Sequence, residues 1–361
     1  METKVRLTHF DLLKLIALLF VCFSHVYQRI VPNATQTIIF GIFYSVHMSM
    51  FMFVGGYFVK RCDSVKELVK YIGKMFLYYV YPAVIFTILT VISMERYSGR
   101  DVLYWLNEFY VRTDTFYWYG ISAIIINAFL AISVYIARKI IRKNGLLGEL
   151  MTNAIVLILF GLLFLPIIFI LKSETPGMLA SNLTVEFVPL AVAGFLIKSF
   201  GKYIKNNAKS RTIEIAVAIV CLVGYIFALI NFQGWLNKNT NLLLFLHQLG
   251  ALAGVYCYYV LSKWLCRIKP IANISAYGKY SYPIYLVHVY LIRVITPYVS
   301  RITEVNFYSV SFVIIYALVF TFGSMVISIA LTKNKYINLV LFGDYKPLLP
   351  KKTMKGQLEN S

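Results

Sequence analysis

What most constrains this chain is a succession of apolar runs of about 20 residues, the length an α-helix needs to cross a bilayer. Ten such runs can be marked, roughly at 9–30, 37–59, 74–94, 115–137, 151–171, 183–200, 212–232, 241–262, 280–299 and 306–331. Hydrocarbon offers no partner to backbone N–H and C=O groups, so runs of this kind fold as helices that satisfy themselves. Composition agrees: 60% of the 361 residues belong to AVILMFWYC and only 14% are charged. One soluble core could not hide that much apolar surface. The sequence therefore predicts an all-α, polytopic integral membrane bundle of about ten transmembrane helices.

The formal charge is +20, from 35 Lys and Arg against 15 Asp and Glu. In a soluble protein such an excess would point to nucleic acid. Here its distribution gives another meaning. With the N-terminus in the cytoplasm, the inner segments hold 26 basic residues and the outer loops 7, while Lys14 and Arg293 lie within spans, which accounts for all 35. This alternation is the positive-inside pattern of ten helices with both termini cytoplasmic. The basic residues are topology signals, the partner is the lipid bilayer, and nucleic acid is set aside. The first span lacks a small-residue cleavage site and is read as retained. The chain divides into a membrane domain over 1–335 and a short basic cytoplasmic tail over 336–361. In the outer loop at 95–114, Val102, Trp105, Leu106 and Phe109 recur at helical spacing, which fits an interfacial helix or an ordinary aromatic belt. The five cysteines show no C-x-x-C spacing and read as small core hydrophobes.

Ionisable residues inside a bilayer are costly, so each is a functional candidate. The first span carries Asp11, Lys14 and His25. On a helix, Lys14 and His25 are separated by three turns plus about 20° and by roughly 16.5 Å along the axis, so they share one face. Asp11, one turn before Lys14, can pair with it. The stripe suits a ligand with an anionic head and a long arm; Lys14 alone could also snorkel to the inner headgroups. His47, His247 and His288 lie in the second, eighth and ninth spans, and each is either a packing histidine or a catalyst. Glu186 and Arg293 occupy outer halves of the sixth and ninth spans. Arg112, Asp114 and Trp118 gather where the fourth span enters from outside, as a belt or as a sugar-binding aromatic face. No Walker A, G-x-S-x-G, H-E-x-x-H or G-x-G-x-x-G pattern is present, and no metal-ligand cluster. Chemistry must then rest on histidine, carboxylates and a donor activated before it arrives.

Four stretches, taken in order, resemble the acyltransferase-3 family of polytopic membrane O-acyltransferases, particularly its fucose 4-O-acetylase-like branch. They are Phe10-Asp11-Leu12-Leu13-Lys14 running on to Ser24-His25, Ser45-Val46-His47-Met48-Ser49 continuing to Gly55-Gly56-Tyr57-Phe58, Phe187-Val188-Pro189-Leu190 leading to Gly194 and Lys198, and Gly278-Lys279-Tyr280-Ser281 closing on His288. The family pairs a basic residue with a later histidine. Lys14 stands where many members carry arginine, keeping the charge without the planar fork.

The resemblance implies an acyl-CoA donor, most often acetyl-CoA, as substrate with no bound cofactor. It also implies an acceptor hydroxyl on a surface glycan or lipid-linked sugar, and a place in the bacterial cytoplasmic membrane. On that reading His25 and His47 are the catalytic candidates. Asp11, Lys14, Arg112, Trp118, Glu186, His288 and Arg293 are the substrate-binding candidates, and no metal is expected. The competing class is a transporter or flippase for a glycan precursor or small solute, which prolines inside spans (Pro82, Pro166, Pro189, Pro283) and buried ionisable residues would also fit. Against it, no repeated halves with matched interrupted helices are seen.

Overall fold

A computed structural model describes residues 7–31, 33–93, 104, 117–141, 145–174, 181–201, 203, 208–231, 241–302 and 310–344. Among these, every regular element is helical. The long helices are α1 (Thr8–Ile30), α2 (Ile38–Tyr57), α3 (Val65–Met75) continuing through a π-helical turn (Phe76–Val80) into α4 (Tyr81–Ser93), α5 (Trp118–Ile140), α6 (Gly145–Glu174), α7 (Ser181–Gly201), α8 (Ala208–Asn231) and α9 (Asn241–Leu265). The short α10 (Lys269–Ser275) and a 3₁₀ turn (Ala276–Tyr280) lead into α11 (Ser281–Ile302), α12 (Val310–Lys333) and α13 (Lys335–Phe342). Each of the ten apolar runs is thus a helix, the third of them reached through α3 and the π turn. The expected interfacial helix and Arg112 lie outside the described residues.

Eight helical stretches among the described residues are long and apolar enough by themselves to cross a membrane. The other two long helices, α9 and α11, have 25 and 22 residues but are diluted by polar side chains. Those side chains face protein: His247, Tyr285 and His288 are all buried. The reverse pattern marks the lipid side. On α6, α8 and α12 the large apolar residues Leu162, Phe169, Val220, Phe227, Val319 and Val326 are exposed on the bundle exterior, which in a bilayer meets acyl chains.

The helices that carry the first two motifs are the packing centre. On α1, Leu13, Ala17, Val21 and Cys22 are fully buried, as are Phe40, Val46 and Met50 on α2. Close approach of α2 and α7 depends on glycine. A Cβ at Gly56 would sit 1.8 Å from the Ala191 carbonyl oxygen, and one at Gly194 would sit 1.9 Å from that of Phe53. Only residues without a side chain let these two backbones touch, as in other small-residue membrane crossings.

The basic segments assigned to one side do meet at one end of the bundle. Arg61 pairs with Glu149 at 2.5 Å, Arg138 with Asp63 at 3.2 Å, and Lys263 with Glu214. Lys198 Nζ donates to the Val59 carbonyl at 2.8 Å, where α2 has just ended and its last carbonyls lack helical partners.

The tail expected from residue 336 opens as an ordered helix. Asn334 caps α13, its side chain accepting from the N–H groups of Tyr336 and Ile337, and Gly343 ends it at φ 66°. Phe342 is buried and stacks on Phe86 of α4 with ring centroids 5.8 Å apart. Gly343 lies against the π turn, where a Cβ would meet the Leu77 carbonyl at 2.0 Å, and Tyr78 donates to Asp344 at 2.9 Å.

Candidate active site

Helix α1 runs unbroken from Thr8 to Ile30, so the spacing read from the sequence holds in space. Near its start Lys14 Nζ lies 2.7 Å from Asp11 Oδ1, with the lysine side chain 22% exposed. The expected pair is formed. The backbone at Asp11 is in turn pressed against Gly278, where a Cβ would fall 2.2 Å from the Asp11 carbonyl. This contact fixes how α11 lies along α1, since the chain from Gly278 climbs beside α1 with little freedom to slide.

Ten residues beyond Gly278, that register delivers His288 to His25. The two imidazole centroids are 5.7 Å apart with 34° between planes. His288 is fully buried; its Nδ1 lies 3.3 Å from the Ile284 carbonyl, and its Nε2 has no hydrogen-bond partner among the described residues. His25 is half-buried on a helix packed on several sides. Down α11, Tyr285 lies tilted against His288 at 5.5 Å and Tyr282 stacks on Tyr285 at 6.0 Å, giving a row of rings along the helix. Arg293, His47 and His288 all lie within electrostatic range of His25. Arg293 is likewise close to Tyr117 and Tyr285.

His47 is the second locked imidazole. Its Nδ1 lies 3.2 Å from the Phe43 carbonyl, one turn back, so the Nδ1–H is donated and the neutral ring keeps Nε2 as an acceptor. His47 forms part of the wall of a partly open cavity. The same wall includes Trp118 at the start of α5 and Glu186 on α7; Trp118 is stacked on Phe187 at 5.4 Å and 20°. The cavity thus has an aromatic side, a carboxylate and an imidazole, the mixture of apolar wall and few polar groups common to small-molecule sites.

Of the candidates named from sequence, the structure brings His25, His288 and Arg293 together and gathers His47, Trp118 and Glu186 around the cavity. Asp11 and Lys14 pair on the same helix, Lys14 about 16.5 Å before His25 along its axis. His247, weighed from sequence as a packing histidine or a catalyst, also lines the cavity, and sequence reasoning left out Tyr44, Ser45, Ser49 and Gln248 beside it. Two signals were available. Ser45 and Ser49 flank His47 at four-residue spacing, and Gln248 is an amide inside an apolar span. Among the described residues no group of three His, Cys, Asp or Glu is arranged to hold a metal ion. The cysteines are free thiols.

No curated protein and no solved structure matches the chain. A family model described as an acyltransferase domain matches residues 7–333, from just before α1 to the end of α12. The match takes in every helix that builds the histidine cluster and the cavity. The chain belongs to the acyltransferase-3 family and is a multi-pass membrane acyltransferase.

Proposed function

We propose that the protein moves an acyl group, acetyl foremost, from cytoplasmic acyl-CoA to a hydroxyl of a surface glycan or lipid-linked sugar, working in the bacterial cytoplasmic membrane. The observation that carries this reading is His25: a half-buried imidazole set against the fully buried His288, with Lys14 earlier on the same helix and His47, at the cavity wall, within electrostatic range. A donor with an anionic head suits Lys14, and its thioester arm has the length of α1 to follow. The acceptor suits the cavity, where Trp118 offers a ring face and Glu186 a hydrogen-bond acceptor.

His25 acts as general base. Its neutral nitrogen takes the proton of the acceptor hydroxyl as the oxygen attacks the thioester carbonyl. A carbon–oxygen bond forms, the carbon–sulfur bond breaks, and the imidazolium returns the proton to the departing thiolate. Burial keeps water from competing, and holding both substrates in one bundle replaces a two-body encounter. Base catalysis of this kind contributes about 10²–10⁴-fold.

The test uses membranes bearing the protein, labelled acetyl-CoA and native surface glycan. His25→Ala is expected to lower label transfer by about 10²–10⁴-fold. Full transfer by the variant would remove the imidazole from the reaction. Mass spectrometry of surface glycans from cells with and without the protein identifies the acyl group and the hydroxyl that receives it.

A further inference from the structure

Base catalysis by His25 requires one nitrogen to carry no proton and to face the acceptor. A neutral imidazole exchanges between two tautomers unless a partner fixes one of them. In many enzymes a carboxylate is that partner. Here the ring recorded against His25 is His288, with centroids 5.7 Å apart.

The state of His288 follows from its surroundings. The Ile284 carbonyl 3.3 Å from its Nδ1 can only accept, so Nδ1 carries the proton. In the neutral ring Nε2 then holds a lone pair and can only accept. That nitrogen is sealed from solvent and has no hydrogen-bond partner among the described residues, although a buried polar atom normally finds one. His47 is locked through its own Nδ1 in the same way, but it borders the cavity, where a ligand can reach it. His288 has no such opening, since its residue is 0% exposed.

The separation suits a bond between the rings. Two imidazole radii of about 1.2 Å and an N···N distance of about 3 Å give roughly 5.4 Å between centroids. The observed 5.7 Å between centroids, with the rings tilted by 34°, lies close to that span. Bonds of this kind are often long in an unliganded site and tighten when substrate binds.

We infer that His288 is the positioning residue of His25: its Nε2 accepts the His25 N–H, which fixes the His25 tautomer with the lone pair toward the acceptor. The inference deepens the general-base reading above and rests on it for its consequence in catalysis, though not for the ring-to-ring bond itself. When His25 receives the hydroxyl proton, the same N–H remains directed at His288, so positive charge forms where an acceptor already waits. Asp11 cannot serve, since it lies fourteen residues before His25 at the basic end of α1. His288 therefore does here what a carboxylate does elsewhere, without placing a second charge in the bundle interior.

The experiment uses the full-length protein in lipid, with His288→Gln and His288→Leu. Glutamine places an acceptor oxygen near the Nε2 position and leucine does not. Histidine ¹⁵N spectra, with His25 assigned by its loss in His25→Gln, are expected to show one His25 tautomer in wild type and in His288→Gln, and a mixture in His288→Leu. Acyl transfer is expected to fall about 10- to 100-fold in kcat for His288→Leu, as when the second partner of a working imidazole is lost. The donor KM stays unchanged, and the glutamine variant recovers most of the rate. Unchanged His25 ¹⁵N signals in both variants would overturn the inference, whatever the activity. So would a loss expressed only in KM, which would make His288 a substrate contact. If wild type transfers no acyl group from acetyl-CoA, the donor assignment fails, while the ¹⁵N comparison still decides the histidine pair.

Discussion

The crossing of α2 and α7 allows a prediction of sign as well as size. Gly56→Ala adds one methyl group where the Ala191 carbonyl oxygen lies 1.8 Å from the Cβ position. Carbon and oxygen rest at about 3.4 Å, so the two helices must part by roughly 1.6 Å. The obstacle is backbone and has no rotamer to change. Forcing extra atoms into a packed interior costs about 1–3 kcal/mol, and this site belongs at the upper end. At Gly224 and Gly323 a Cβ would meet nothing within 4 Å. There the same substitution removes the entropy cost of a helical glycine and stabilises by about 0.5–1 kcal/mol. The two classes should therefore differ by roughly 2–4 kcal/mol, or roughly 4–8 °C at about 2 °C per kcal/mol. Thermal unfolding of purified protein in one detergent, followed by tryptophan fluorescence, makes the comparison. Gly56→Ala is expected below wild type, and Gly224→Ala at or above it. If both melt alike, the backbone contact does not hold α2 to α7 and the packing argument is wrong. The acceptor side should feel the change too, because Glu186, Phe187 and Leu190 on α7 line the cavity.

Two further outcomes follow from the substrate assignments. Lys14→Arg should retain activity while Lys14→Ala raises the donor KM, by about tenfold if one charge-assisted contact worth about 1.5 kcal/mol is lost; equal donor KM values in all three proteins would reject a donor contact at this position. Trp118→Ala should raise the acceptor KM about 5- to 150-fold, for the loss of one stacking face worth about 1–3 kcal/mol, and leave the donor KM alone; a change confined to the donor would place the cavity on the wrong substrate.

The number and order of the long helices could be read from the chain because bilayer-length apolar runs leave few alternatives. The grouping of basic segments was legible too, since several that alternate along the sequence meet as ion pairs at one end. The Asp11–Lys14 pair was visible because it is local, one helical turn. The His25–His288 contact was not, because 263 positions separate them and their meeting depends on Gly278 lying against the Asp11 backbone. Each histidine could be suspected alone, but only the register of α11 along α1 pairs them. The cavity was hidden for the same reason. Its walls come from α2, α5, α7 and α9, and His247 and Gln248 look like isolated polar residues until those helices are assembled. The order in the tail at α13 had signals, Asn334 before it and Gly343 after it, that a reading centred on long spans overlooks.

The π turn at Phe76–Val80 gains significance from what lies on it. Just ahead of Pro82, it leaves backbone oxygens without regular helical donors. Tyr282 Oη donates to the Tyr79 carbonyl at 2.5 Å, while Gly343 covers that of Leu77. Three segments distant in sequence therefore share one irregular ring of backbone: the third crossing, the root of the helix that bears His288, and the end of α13. Strain or slackness there would be felt at the imidazole pair through two turns of α11. A chain cut at residue 333, where the acyltransferase match stops, would lose Phe342 and Gly343 and leave this joint open. What sequence comparison treats as a trailing appendage is a keystone for the bundle's interior.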